Sequence, residues 1–516
     1  MRLTLWQTIC LAILPLSSTA FAQPAPVFRL AESQGPHAVG LRVVEQYDYS
    51  RAYTPLTNDV GKPSGGEHAR PLQTLVWYPA QPSASARVKV GDYEALQATE
   101  VSFGQPKAPV GIDAWFTQGM KETMSTPMWA VRNAPAEAGR FPMIVYAPSY
   151  SSFPWENADL CEYLASNGYV VIASPGMGVG HESTHDLVGV DAQARDISFL
   201  IGYAQSLPDT DMSKVGVVGF SWGGLSNVFA AARDNRIHAL VALDGSLRYF
   251  PGLVKQSGDV HPEQMTVPLL YFKGAGSLEG QARLDSTFKS DGPNVLNEWA
   301  HGDLISVQML GMIHPEFSSM AQRNEKFWTF EFPRLEWADY DREDGTTGYA
   351  WVAHYTLEFL NAYLKQSTTS MQFLKNTPAQ NNVPKHVLGV EFLRAVPLPL
   401  SFSSFQVAVS NKGFDHAGEV YSAMQKQQPG FTLDASRIDG WALELQSDGH
   451  LPEAINIMKF GISLEPSSRA YDNLGAMYLE SGSRADAMTA YRKAAEKDPH
   501  DILATEALTE LGSKAR

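Results

Sequence analysis

The chain has 516 residues, of which 44% are hydrophobic, 11% aromatic and 18% charged. That is apolar material for roughly two or three domains with buried cores, and too much for a disordered chain. Lys and Arg number 40 against 55 Asp and Glu, giving a formal net charge of -15, and with no cluster of cations to offset that field, nucleic acid is not an expected partner.

Residues 1–22 carry one cation, Arg2, an apolar stretch over 3–16, and small residues at Ala20 and Ala22. This is the pattern of a signal peptide removed before Gln23, and the stretch is too short to span a bilayer. The expectation is an exported protein, periplasmic or secreted, whose lone thiol after cleavage is Cys161. One thiol makes no internal disulfide, so the fold must rest on its core. No later run is apolar enough for a membrane span.

Residues 39–46 and 72–78, separated by a Gly/Pro/Ser-rich bend, read as β hairpins. Short apolar runs then follow at 143–146, 169–173, 215–220, 237–243, 268–272 and 304–310, with helix-compatible segments at 158–167, 192–205 and 224–233 between them. Buried strands alternating with helices predict an α/β domain, a mostly parallel sheet flanked by helices. An amphipathic helix over 349–365 closes it. The domain is expected to occupy 23–365. The apolar residues within 113–140, including Trp115, Phe116, Met120, Met124, Met128 and Trp129, read as core or as a lid.

Residues 366–400 turn to Ser, Thr, Asn, Gln and Pro and read as a linker. Over 401–516 a helical unit recurs, its two clearest copies 33 residues apart. Tyr471, Leu474, Gly475 and Tyr478 on one helix are followed by Ala487, Tyr491 and Ala494 on the next, ending at Pro499. An upstream copy has Trp441, Ala442, Leu445, Ala454, Met458, Gly461 and Pro466, and a weaker one has Ala417, Tyr421, Met424 and Pro429. Small residues where two helices cross, with bulky ones filling the gap, resemble tetratricopeptide repeats and imply an all-α array able to bind a protein partner.

Chemistry enters at Gly219-Phe220-Ser221-Trp222-Gly223, between the strand ending at Phe220 and a helix beginning near Gly223. A serine on a tight strand-to-helix turn has its Oγ exposed, and the flanking glycines keep Cβ atoms out of the neighbouring elements. The Trp222 N–H then points into the same space at a helix N-terminus, where a developing oxyanion is favoured. Serine needs an adjacent imidazole to act as a nucleophile.

These residues resemble the α/β-hydrolase superfamily, and within it the bacterial branch of platelet-activating-factor acetylhydrolase-like and dienelactone-hydrolase-like proteins. The likeness extends to Gly40-Leu41-Arg42, Asp48-Tyr49-Ser50-Arg51 and the stretch from Arg70-Pro71-Leu72 to Val76-Trp77-Tyr78-Pro79-Ala80. It implies a serine hydrolase that cleaves carboxylic esters of a small-molecule or lipid substrate through an acyl-enzyme, with no cofactor and no metal. Leu310-Gly311-Met312-Ile313-His314-Pro315-Glu316-Phe317 resembles the branch's base-bearing segment, which makes His314 the general base. His301 precedes the last strand, at the wrong end of a parallel sheet. The branch places its acid where Asp244 ends the run 237–243, with Glu279, after the next strand, as the alternative acid. By matching position, the Tyr150 N–H in Ala147-Pro148-Ser149-Tyr150 is the second oxyanion donor beside Trp222.

Two other readings compete. His181-Glu182-Ser183-Thr184-His185 matches a zinc-hydrolase pattern, but that pattern requires a helix, and Pro175, Gly176, Gly178 and Gly180 lead into it as a loop. Alternatively, the repeats make this a scaffold protein with a vestigial hydrolase domain.

Overall fold

The structure, a computed structural model, describes residues 28–103, 118–180, 183–275, 286, 293–324 and 342–513. The expected signal peptide, Trp115, Phe116, His181, Glu182 and Glu279 lie outside the described residues. Among the described residues, eleven strands form one sheet: β1 (Ala38–Ala52), β2 (Ala69–Ala80), β3 (Arg87–Lys89), β4 (Pro127–Arg132), β5 (Phe141–Ala147), β6 (Val170–Ala173), β7 (Thr210–Phe220), β8 (Ile237–Leu243), β9 (Leu269–Lys273), β10 (Leu304–Met309) and β11 (Leu388–Leu393). Their spatial order is β11-β10-β9-β8-β7-β5-β6-β2-β1-β4-β3.

Every neighbouring pair from β10 across to β6 is parallel, while β2 runs antiparallel to both β6 and β1. Side chains along a strand alternate between faces, and both faces of the central strands are apolar. Met143 and Val145 of β5, Val215 and Val217 of β7, and Leu240 and Ala242 of β8 enter one layer. Ile144 and Tyr146, Val218 and Phe220, and Val241 and Leu243 enter the other. The continuous apolar runs in the sequence follow from this double coverage. The helices that provide it are α1 (Ala158–Ser166), α2 (Leu187–Ala204), α3 (Trp222–Arg233) and α4 (Arg342–Leu364). Residues of α2 and α3 fill the Met143 side, and residues of α1 and α4 the Ile144 side.

β6 lies on one side of β5 and β7 on the other. The chain therefore reverses its direction of crossover at β5, and such a switch opens a crevice at the carboxyl ends of β5 and β7.

Two expectations are corrected or narrowed. Residues 366–400 are not a free linker: they carry α5 (Thr368–Lys375) and β11, which pairs antiparallel with β10 from Leu304↔Leu393 to Met309↔Leu388. β11 is a short apolar run, Leu-Gly-Val-Glu-Phe-Leu, inside an otherwise polar segment, and as an edge strand it has β10 as its one neighbour. Within 113–140, Met120 and Met128 are core residues and β4 pairs with β1, so the described part of that segment belongs to the sheet and its packing.

A second compact unit begins at Pro397. It holds α6 (Phe402–Lys412), α7 (Ala417–Gln427), α8 (Ala435–Ser447), α9 (Leu451–Leu464), α10 (Ser468–Glu480), α11 (Arg484–Lys497) and α12 (Ile502–Ser513). A Cβ at Gly475 of α10 would sit 2.8 Å from the Tyr491 ring of α11, so the glycine sets the approach of that pair. Gly461 does the same for α9 against Ile438 of α8, where a Cβ would lie 3.1 Å from the Ile438 side chain. Among the described residues, no helix is long and apolar enough to cross a membrane.

Candidate active site

Ser221 caps α3 at φ 54° and ψ -116°, a region that L-residues occupy only under constraint, at a cost of about 1–3 kcal/mol. The constraint is visible on both sides of the turn. The Ser221 N–H donates to the Leu243 carbonyl at 3.1 Å, and the Ser221 carbonyl accepts from Gly224 at 3.0 Å and Ser246 at 2.9 Å. A Cβ at Gly219 would lie 2.5 Å from the Gly223 backbone, and one at Gly223 would lie 2.1 Å from the Ala147 carbonyl oxygen. Only glycine lets α3 start this close to the end of β5.

Three strand ends converge here. Asp244 follows β8 directly with φ 40°, and its Oδ1 accepts the Gly274 N–H at 2.9 Å, just past β9. Its Oδ2 lies 2.6 Å from His314 Nδ1. His314 opens the turn after β10, and its Nε2 lies 2.9 Å from Ser221 Oγ. The His314 side chain is 50% exposed and that of Asp244 18% exposed, so the imidazole faces the crevice while the carboxylate is shielded behind it. Ser221, His314 and Asp244, separated by up to 93 residues, thus form one hydrogen-bonded chain. Its geometry suits proton transfer away from a serine hydroxyl.

Other histidines lie outside this chain of contacts. His301 Nδ1 contacts the Val396 carbonyl at 2.6 Å, before β10, and His354 of α4 pairs with Glu32 at 3.3 Å. His185 is a loop residue ahead of α2, whose N-cap is Asp186. Its ring stacks on Tyr150 with centroids 3.8 Å apart, and the Trp222 ring meets it edge-on at 5.2 Å. Burial against these rings holds the His185 pKa below its usual range. No group of three or more metal-ligating side chains occurs among the described residues.

The loop after β5 approaches Ser221 through Ala147 and Pro148. Among the described residues, neither the Tyr150 nor the Trp222 backbone N–H donates to a carbonyl. The Tyr150 hydroxyl donates to the Ser183 carbonyl. The loop is held by residues that the motif does not reveal. The Gln193 amide of α2 donates to the Pro148 carbonyl at 2.7 Å and accepts from the Ser226 hydroxyl at 2.7 Å. The Gly176 N–H donates to the Ser152 carbonyl at 2.8 Å. The segment containing Gly176 is itself clamped by Arg70, which is 2% exposed. Arg70 donates to the Gly178 and Met177 carbonyls at 2.6 and 3.0 Å and makes a two-point ion pair with Asp196 at 2.7 and 2.6 Å.

A cavity of about 590 Å³ lies away from this crevice, bounded by the end of α3 and by Ile237 and Pro268 at the amino ends of β8 and β9. Sites in parallel sheets form at the opposite, carboxyl ends, and the hydrogen-bonded side chains are found there.

A family model agrees with this architecture. The model of the Alpha/beta hydrolase family matches residues 144–366. A putative carboxymethylenebutenolidase from Methylorubrum extorquens is 28% identical over 131 residues, covering 23% of this chain and 45% of that protein, so the chain spans less than half of that relative's length. A solved ferulic acid esterase from Streptomyces cinnamoneus aligns with a TM-score of 0.49 at 19% identity, covering 71% of this chain and 99% of the other. With its switch-point crevice, its serine turn and its match to the Alpha/beta hydrolase family over residues 144–366, the first unit of this chain has the α/β-hydrolase fold.

Proposed function

We propose that this protein is an exported serine hydrolase that cleaves carboxylic esters through an acyl-enzyme. The observation that carries the reading is the continuous contact from Ser221 Oγ to His314 Nε2 at 2.9 Å and from His314 Nδ1 to Asp244 at 2.6 Å. In this reading, Ser221 Oγ attacks the ester carbonyl while His314 Nε2 takes its proton. The negative charge on the tetrahedral oxygen is met by the Trp222 and Tyr150 N–H groups, the first of them at the positive end of α3. His314 then returns the proton to the leaving alcohol, and a water deprotonated by the same imidazole releases the acid. Asp244 keeps Nδ1 protonated and the ring aligned throughout.

The match to the Alpha/beta hydrolase family and the partial likeness to a putative carboxymethylenebutenolidase support a hydrolase of this kind. The helical unit is proposed to be a tetratricopeptide-like array that positions a partner or a large substrate. The stacking of His185 on Tyr150 argues for an aromatic wall beside Ser221 and against a zinc ligand.

The test is turnover of para-nitrophenyl esters of graded acyl length. Ser221→Ala and His314→Ala are expected to lose about 10⁴-fold or more in kcat while staying folded. Wild-type turnover by Ser221→Ala would overturn the reading.

A further inference from the structure

We propose that Glu156 and Asn157 are positioning residues that lock the loop carrying the Tyr150 oxyanion donor to the loop carrying His314, so that both address Ser221 together. The inference rests on the ester-hydrolase reading above and adds to it two residues that touch neither substrate nor reacting atoms. In sequence the pair stands immediately before α1 and looks like an ordinary helix start, but Glu156 is 1% and Asn157 0% exposed, which demands partners.

The partners come from two directions. The Glu156 carboxylate accepts the Ser149 N–H at 2.7 Å, the Ser149 hydroxyl at 2.7 Å and the Tyr146 hydroxyl at 2.8 Å. Ser149 immediately precedes Tyr150, so this carboxylate fixes the peptide that leads into the proposed donor. The Glu156 carbonyl turns the other way and accepts from the Met320 N–H at 2.9 Å and the Ser318 hydroxyl at 3.0 Å. Asn157 repeats the pattern. Its amide donates to the Tyr146 hydroxyl at 2.6 Å and to the Phe317 carbonyl at 3.0 Å, and accepts from the Ser319 N–H and the Tyr349 hydroxyl, each at 2.8 Å. Phe317 ends the turn His314–Phe317, and residues 318–320 directly follow it. Each polar atom named here is matched donor to acceptor, as a buried network requires if it is to hold a geometry.

The chemistry required of Glu156 is acceptance, not charge. A glutamine there can keep one oxygen on the Ser149 N–H and Tyr146 hydroxyl and turn its amide toward the Ser149 hydroxyl, which can accept as well as donate. Alanine removes every side-chain contact to Ser149 and Tyr146, leaves the backbone carbonyl bonds to Met320 and Ser318, and so loosens the Tyr150 loop on this side.

The experiment measures kcat and KM with para-nitrophenyl acetate, together with the affinity for phenylboronic acid, which forms a tetrahedral adduct on a catalytic serine. Glu156→Ala is expected to lose about 30-fold or more in kcat and a similar factor in boronate affinity, with KM within about threefold, because a displaced oxyanion donor is felt only by the tetrahedral species. Glu156→Gln should stay within about fivefold of wild type on both measures. If Glu156→Ala does not fold, Tyr146→Phe serves. It deletes the hydroxyl shared by both residues and should lower kcat about three- to tenfold with unchanged KM.

A folded Glu156→Ala with wild-type kcat and boronate affinity overturns the proposal, as does a Glu156→Gln as damaged as the alanine variant, or a Tyr146→Phe with unchanged kcat. Failure of the ester reading itself is distinguishable, since it would appear as turnover surviving in Ser221→Ala.

Discussion

Asp244→Asn isolates what the carboxylate does for the imidazole. The two oxygens of Asp244 have separate tasks: Oδ1 accepts the Gly274 N–H at 2.9 Å and Oδ2 faces His314 Nδ1 at 2.6 Å. Asparagine fits the same volume but must put an NH₂ at one of these places. Retaining the Gly274 bond points the NH₂ at Nδ1, which then has to accept, so the neutral ring carries its proton on Nε2 and cannot take one from Ser221 Oγ 2.9 Å away. Flipping the amide restores Nδ1–H but sets two donors, the NH₂ and the Gly274 N–H, against each other and leaves the latter without an acceptor, a cost of about 1–3 kcal/mol. Either way the productive state is scarce. The expected loss in kcat is about 10³- to 10⁴-fold, or about 4–5 kcal/mol in the barrier. The assay is the pH profile of para-nitrophenyl acetate hydrolysis, with circular dichroism to show that the fold persists, and with Glu279→Gln as the comparison expected to stay close to wild type. An Asp244→Asn protein within tenfold of wild type, or a Glu279→Gln protein more damaged than Asp244→Asn, would refute this assignment of the acid.

Other perturbations reach different parts of the same framework. Gly223→Ala would push a methyl to within 2.1 Å of the Ala147 carbonyl, so α3 must separate from β5. Ester turnover should fall at least about 100-fold with a lowered Tm, since a 1 Å misplacement at the site has that scale of effect, and normal kinetics would contradict the close approach. Asp196→Asn leaves the Arg70 and Arg51 guanidinium groups facing a neutral amide in place of the carboxylate that both now contact. Breaking a buried pair from one side costs about 3–5 kcal/mol, readable as a fall in the urea midpoint, whereas an unchanged midpoint would show that the cluster contributes nothing. In the helical unit, Asp472 is pushed up to about 7 by burial and by the Asp501 carboxyl beside it. The folded pKa lies above the unfolded one, so the folded form is favoured while the group is protonated, and stability is lost as pH rises from the unfolded value, about 4, to 7. Asp472→Asn should therefore raise the Tm more at pH 8 than at pH 5, and an equal shift at both would contradict the repulsion.

What could be read from the sequence was local, and what could not was long-range. The turn around Ser221 was legible because glycine, serine and glycine in that order between an apolar strand and a helix is a steric statement about neighbouring backbones, and the close approaches at Gly219 and Gly223 are those contacts. Asp244 and His314 were found from their places after apolar runs together with a family resemblance. Glu156, Gln193 and Arg70 carry no comparable signal. Gln193 acts on a carbonyl 45 positions away and Arg70 on a carboxylate 126 positions away, and nothing near them in the chain hints at either. Residues 366–400 misled for another reason. β11 is an apolar run of six residues, Leu388–Leu393, between polar turns and a proline-containing stretch, and the average composition of the whole segment hides so short a strand.

The most direct measurement is to trap the covalent intermediate. Brief reaction of the full-length protein with para-nitrophenyl acetate at low pH, followed by proteolysis and mass spectrometry, should find one acetyl group on the peptide containing Ser221, in an amount matching the initial burst of nitrophenol. No such adduct should form in Ser221→Ala, and it should form far more slowly in His314→Ala. A burst with the acetyl group on another residue, or steady turnover by the Ser221→Ala protein, would mean that the hydroxyl held 2.9 Å from His314 is not the nucleophile.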